Sequence, residues 1–135
     1  MSALRPLVPK SIRAPFGRYS HAIEVPAHAR WLFCSGQLGI SSTDHIPDSV
    51  EDQAVICFEA IGACLAEAGM TFADIVRLNA FVTDRAYMSA YMAVRDRYVA
   101  LPAPASTLLI VAGFTRSEFK VEIEATAANA AGPGE

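Results

Sequence analysis

The sequence predicts an α+β domain in which two helices cover one face of a single mixed sheet. Three observations carry this. Two stretches repeat apolar residues at three- and four-residue steps, the period of a helix with one buried face. Five stretches have strand character, three of them with alternating faces, and the order along the chain is β-β-α-β-α-β-β. The length of 135 residues fits one domain spanning 1–135 and is enough to bury a real core.

Met1 to Phe16 holds Pro6, Pro9 and Pro15 and reads as an irregular arm. Tyr19 to Val25 alternates, with Tyr19, His21, Ile23 and Val25 against Ser20, Ala22 and Glu24, which predicts a strand. Trp31 to Leu38 is a second strand, turning small and polar at Ser35-Gly36-Gln37. Gly39 to Asp48 is a mostly polar loop.

The clearest helix opens after Pro47, where Ser49 with Asp52, or Asp48 with Glu51, supplies a capping pair. Val50, Ala54, Cys57, Phe58, Ile61, Cys64, Leu65 and Ala68 form its stripe, and Gly69 stops it. Asp74 to Thr83 alternates again, Val76, Leu78, Ala80 and Val82 opposing Ile75, Arg77, Asn79 and Phe81. A second helix is expected over Ala86–Val99. It ends at Leu101-Pro102-Ala103-Pro104, because proline fixes φ and donates no amide hydrogen. Ser106–Ala112 and Phe119–Ala127 complete the strands, and residues 128–135 form a small-residue tail.

If both helices lie on one face, the other face carries Arg77, Asn79, Phe81, Lys120, Glu122 and Glu124. Together with 53% hydrophobic and only 19% charged residues, this mixed face predicts an oligomer whose charged groups line clefts between chains.

Composition also excludes. Eleven basic against fourteen acidic residues give a net charge of −3, with no basic run, which argues against nucleic acid as a partner. No apolar stretch reaches the ~18 residues that span a bilayer, and no apolar segment follows Arg5 and Lys10, so neither a membrane anchor nor a secretory signal is expected. Cys34, Cys57 and Cys64 are odd in number and lack C-x-x-C spacing, which leaves no disulfide framework or zinc site to expect and a reducing cytoplasm as the expected location. His21, His28 and His45 have no metal-ligand spacing.

Several short motifs then coincide: Gly17-Arg18-Tyr19-Ser20, Phe33-Cys34-Ser35-Gly36-Gln37, Asp74-Ile75-Val76-Arg77 leading into Phe81-Val82-Thr83-Asp84, Pro104-Ala105-Ser106-Thr107, and Val121-Glu122-Ile123-Glu124-Ala125. In order and spacing the chain resembles the Rid (reactive intermediate deaminase, RidA-like or YjgF) family from about Tyr19 to Ala127. The resemblance implies a chorismate-mutase-like fold and a homotrimer closed around a central barrel. It also implies three small-molecule clefts between subunits, in which enamines and imines are hydrolysed to ketoacids and ammonia without metal or organic cofactor.

Carried over residue by residue, the resemblance places Tyr19, Ser35, Gly36 and Glu122 on the cleft wall, with Glu122 holding or activating water and Thr107 beside them. It also exposes two departures. Where the family has the arginine that clamps the substrate carboxylate, this chain has Pro104-Ala105-Ser106-Thr107, either one residue shorter or with Ala105 in the arginine slot. The asparagine usual on the second helix is replaced by Met92. Alanine offers neither charge nor donor, so the chain resembles the arginine-less branch. There the substrate is altered, with a 2-aminomuconate-type intermediate as one candidate, or the chemistry has given way to a non-catalytic binder or sensor. Arg18 is a candidate replacement cation. RNA cleavage, ascribed to some relatives, is the weakest reading for an acidic chain.

Each assignment has a plainer counterpart. Glu122 read alone is a strand carboxylate paired with Lys120 or Arg77, and Glu124 on the same face competes for its role. Tyr19 reads as a rim aromatic, Gly36 as a point of close chain approach, and Arg18 as a solvated side chain. Ser35 and Gly36 could instead offer a small anion-binding nest. Cys57 and Cys64 are core thiols, and Cys34 is the cysteine nearest the expected cleft.

Overall fold

The computed structural model describes residues 4–130. In chain order the elements are β1 (Arg5–Leu7), β2 (Ala22–Glu24), β3 (Arg30–Leu38), α1 (Val50–Glu67), β4 (Ile75–Val82), α2 (Met88–Tyr98), β5 (Ala105–Ile110) and β6 (Val121–Asn129). Strands β3-β6-β4-β5 form the main sheet, and β1 and β2 pair as a separate ribbon. Strand β6 runs antiparallel to both neighbours. Strands β4 and β5 are parallel, as the α2 crossover between them requires.

Helix α1 starts where the capping pair predicts. Extended Ser49 accepts the Asp52 amide hydrogen on Oγ at 3.1 Å. At the other end Gly69, at φ 69°, donates to the Ala66 carbonyl (3.0 Å) and Met70 to that of Leu65 (2.8 Å), a paired closure that needs a left-handed residue. The stripe of Ala54, Cys57, Phe58, Ile61 and Leu65 is fully buried against Leu78, Ala80 and Val82 of β4 and Val121, Ile123 and Ala127 of β6. Both helices therefore lie on one face, as predicted.

The structure changes several boundaries. The arm read as irregular contains β1, whose Arg5 pairs with Glu24 of β2 across 2.8 Å. The strand expected over Tyr19–Val25 shrinks to Ala22–Glu24. The second helix begins with a tight 3-10 turn at Arg85–Tyr87, because Asp84 Oδ1 caps the Ala86 amide at 2.8 Å. Strand β6 continues through Ala128 and Asn129, residues read as tail; positions 131–135 lie outside the described residues.

Lys120 also departs from the expected face. Its Nζ donates to the Asp48 carbonyl and its main-chain N–H to Gln53 Oε1 at 2.8 Å, which turns it toward the start of α1. Gln53 is fully buried, and its Nε2 donates to the carbonyls of Pro47 and Glu118, both at 2.9 Å.

Candidate functional site on the two faces of the sheet

Away from the helices, the cross-strand registers set Phe33, Thr126, Arg77 and Ala105 in one row. Glu124, Asn79 and Thr107 form the next, and Glu122, Phe81 and Leu109 the one after. Strand β3 interrupts this grid with a bulge at Ser35-Gly36, where two residues oppose one on β6. A Cβ built on Gly36 would lie 2.7 Å from both Cδ and Oε2 of Glu122. The bulge glycine thus leaves the space in which the Glu122 carboxyl group rests.

Glu122 is half-buried and takes no hydrogen bond or ion pair among the described residues. The pairings that would make it merely structural do not form. Lys120 points to Asp48, and Arg77 Nη2 donates to Thr107 Oγ1 at 2.9 Å. The competing carboxylate is occupied, since Glu124 Oε2 accepts from Asn79 Nδ2 at 3.1 Å. Ser35 is exposed on the bulge, its carbonyl accepting from Gln37 Nε2 at 3.0 Å.

Tyr19 lies elsewhere. It lines a cavity of about 420 Å3 between α2 and β5, with Phe16, Gly17, Met88, Met92, Arg95, Ser106 and Leu108. Ser106 is in register with buried Leu78, so this cavity is on the helix side of the sheet, opposite the Glu122 face. The Tyr19 hydroxyl accepts the Phe16 amide hydrogen at 3.1 Å, and its ring meets His21 edge-on at 6.2 Å. Arg18 is exposed and donates from Nη1 to the Asp96 carbonyl at 3.3 Å.

Ala105 belongs to the other side. It is opposite Arg77, borders a cavity of about 300 Å3 with His21, Trp31 and Val76, and carries the bridge that attaches Ser20 to the edge of the sheet. A single copy therefore keeps the two groups of predicted residues apart: Ser35, Gly36, Glu122, Ala105 and Thr107 on the open face, Tyr19 and Met92 by the cavity, with Arg18 close to α2.

All three cysteines are free thiols. Cys34 points toward the helices and Cys64, away from the open face. Burial, then the neighbouring Cys64, pushes its pKa up to about 11, so it is no nucleophile for the bulge. Cys57 donates to the Gln37 carbonyl at 3.1 Å. Its pKa rises to about 12, first through burial and then through the Glu122 charge, against a smaller lowering by its backbone hydrogen bond. Among the described residues, no group of three or more His, Cys, Asp or Glu side chains is placed to hold a metal. No helix there is long and apolar enough to cross a membrane.

Residues 10–129 match the family model described as endoribonuclease L-PSP. The chain belongs to that family. A Yersinia pestis protein of the same conserved Rid family, YyfB, superposes with a TM-score of 0.81 at 28% identity, over 92% of this chain and 97% of its own. Escherichia coli TdcF, solved with bound serine, gives 0.68 at 28% identity over 85% and 91%. A 2-iminobutanoate/2-iminopropanoate deaminase of Capra hircus is 32% identical over 131 residues, 94% of this chain and 93% of that protein. Rid membership and the chorismate-mutase-like fold expected from the motifs both hold, and membership together with deaminase-named relatives supports a reactive-intermediate deaminase in general terms.

Sequence reading missed Arg95. It is buried on α2 and lines the Tyr19 cavity. Its only signal was position, one turn after Tyr91 and on the same face.

Proposed function

We propose that the protein is a hydrolytic deaminase of small enamines and imines, with three clefts between the copies of a homotrimer. The observation that carries the reading is the Glu122 carboxylate, lodged over Gly36 and without a hydrogen-bond or ion-pair partner among the described residues. Glu122 takes a proton from water as the water oxygen adds to the C=N carbon, giving a carbinolamine. The imine enters as its conjugate acid, so the carbinolamine is neutral. Returning the proton to nitrogen lets the C–N bond break, and the hydroxyl proton passes back to Glu122 as the carbonyl forms and ammonia leaves. An enamine first accepts a proton at carbon to become the imine. Such proton handling contributes roughly 10²–10⁴-fold, and no step needs an oxidant or reductant.

Two features support the trimer, the open face and the separated half-sites. Phe33 is 75% exposed and stacks on half-exposed Trp31 at 6.1 Å, and Leu109, in register with Phe81, is exposed on the same face. Exposed aromatic and apolar side chains at both edges of one sheet face favour a protein contact, and family membership points to the occupant, further copies of the chain. In such a trimer the Glu122 face of one copy would meet the next copy at its β5 edge, where the Tyr19 cavity lies. Ser35, the Gly36 amide, Thr107 and Arg18 would then complete the substrate-binding wall.

The test is ammonia release from the imines that an amino-acid oxidase generates, and from 2-aminomuconate. Wild type should release ammonia faster than buffer, and Glu122→Gln should lose at least roughly a hundredfold while sedimenting as the same trimer. A monomer, or a Glu122→Gln protein with full activity, would refute the proposal. The alternative of a non-catalytic binder draws on Ala105, which removes a cation from the open face. It would be favoured by ligand binding without turnover on any of these substrates. Ribonuclease activity has less support, given the net charge of −3.

A further inference from the structure

We infer that Arg95 recognises an anion, and that the cavity it lines binds the carboxylate of a small, largely apolar acid. This deepens the proposed function by naming the substrate class, while resting on a cavity that exists whether or not turnover occurs. Arg95 is only 5% exposed, and a buried arginine is uncommon unless its charge is used or well matched. Here the match is incomplete. Nε and Nη2 converge on the same oxygen, Asp96 Oδ1, at 3.1 and 3.0 Å. A guanidinium carries five N–H donors, and Nη1 has no partner among the described residues.

The imbalance extends to solvation. The Asp96 side chain is 38% exposed against 6% for Arg95, so water screens the anion of the pair more than the cation. The end of the guanidinium left open, Nη1 with the second hydrogen of Nη2, is the geometry that takes a carboxylate through two parallel bonds. Gly17 adds no side chain there, and the position its Cβ would take is 3.7 Å from Nη2.

The rest of the cavity fits the body of such a ligand. Phe16, Met88, Met92 and Leu108 give apolar walls, and 420 Å3 admits a small organic acid. Tyr19 accepts from the Phe16 amide, which leaves its own O–H free to donate to a second carboxylate oxygen. Arg18, held on the Asp96 carbonyl, adds positive charge near the Arg95–Asp96 pair. In this chain, recognition of the acid has thus moved from the β5 position held by Ala105 to the α2 position held by Arg95.

Titration calorimetry with 2-oxobutanoate and with its uncharged amide tests this. The acid should bind wild type at least roughly tenfold more tightly than the amide, and Arg95→Gln should weaken acid binding by roughly thirtyfold. Arg95→Lys should recover only part of that loss, since an ammonium is a point charge without the fork. Arg5→Gln, on the separate β1–β2 ribbon, should bind as wild type does. Should Arg95→Gln fail to fold, the Arg95 Nε–Hε NMR resonance of wild type decides, and it must move as the acid saturates. Equal binding of acid and amide, no binding at millimolar acid, an unmoved Arg95 resonance, or a larger loss from Arg18→Ala than from Arg95→Gln overturns the inference. Binding through Arg95 without ammonia release would uphold it and sink the deaminase reading. Ammonia release by a folded Arg95→Gln with unchanged kcat and KM would do the reverse.

Discussion

Gly36 and Glu122 interlock across the β3–β6 bulge, the missing Cβ of one leaving the volume that the carboxyl group of the other fills, at 2.7 Å from where that Cβ would be. The intruding atoms are the far end of a flexible side chain, which can swing aside, so Gly36→Ala separates stability from activity. Its expected stability loss is about 1 kcal/mol or less, while ammonia release falls at least roughly tenfold because the displaced carboxylate no longer faces the substrate. Gly39→Ala is the contrast. Its Cβ would meet the Gln53 main chain, 2.7 Å from Cα, which cannot swing away, and this variant should lose stability outright. Thermal melts and ammonia assays on the two proteins check both halves. A Gly36→Ala enzyme with full kcat would show that the carboxylate position is unimportant.

The strand that presents Glu122 is anchored by Gln53. This buried amide donates to the Pro47 and Glu118 carbonyls and accepts from the Lys120 amide, tying α1 to the chain just before β6 begins. Gln53→Leu keeps a similar volume but strands three main-chain groups. At about 1–3 kcal/mol per unsatisfied buried group, partly relieved by water, the expected loss is about 3 kcal/mol, or roughly 10 °C in Tm. Amide hydrogen exchange at Lys120 should accelerate in parallel. Unchanged exchange there would mean that another contact holds the start of β6.

Much of this was legible in the sequence because it depends on local chemistry. Ser49 caps α1, Gly69 ends it, and the alternation through Leu78, Ala80 and Val82 fixes which face of β4 is buried. The site was only half legible. Glu122 and Gly36 could each be named through the family resemblance, but a pattern of residue types does not say that Arg77 bonds Thr107 and Lys120 turns to Asp48, leaving Glu122 without a partner among the described residues. Arg95 was invisible for a related reason. A helix arginine ordinarily reaches solvent, and this one is buried and lines a cavity with Phe16, Gly17 and Tyr19, which are distant in sequence and have no periodicity to announce it. Strand β1 was hidden by Pro6, which a short two-stranded ribbon tolerates and a central strand would not.

Alkaline pH offers a test of the core beneath the site. An unfolded thiol releases its proton near ~8.5, whereas burial, aided by the charge of Glu122, holds the Cys57 proton to about 12. Between those values the unfolded chain binds fewer protons than the folded one, so stability must fall as pH rises. Below the lower value this contribution is fully present; it is lost progressively up to the higher one. Each such thiol adds a slope of at most about 1.4 kcal/mol per pH unit, and Cys34, held to about 11, acts in the same direction. Cys57→Ala should therefore be less stable at neutral pH, because Cys57 is fully buried and truncation leaves a cavity, yet decline less steeply above pH ~8.5. Urea midpoints measured across that range compare the two slopes. Identical slopes, or rapid alkylation of Cys57 in the native protein, would contradict the packing of α1 on β3 and β6. Glu122→Gln should lower the native Cys57 pKa slightly, since it removes the second cause of the shift, which makes the thiol an internal reporter of the carboxylate's charge.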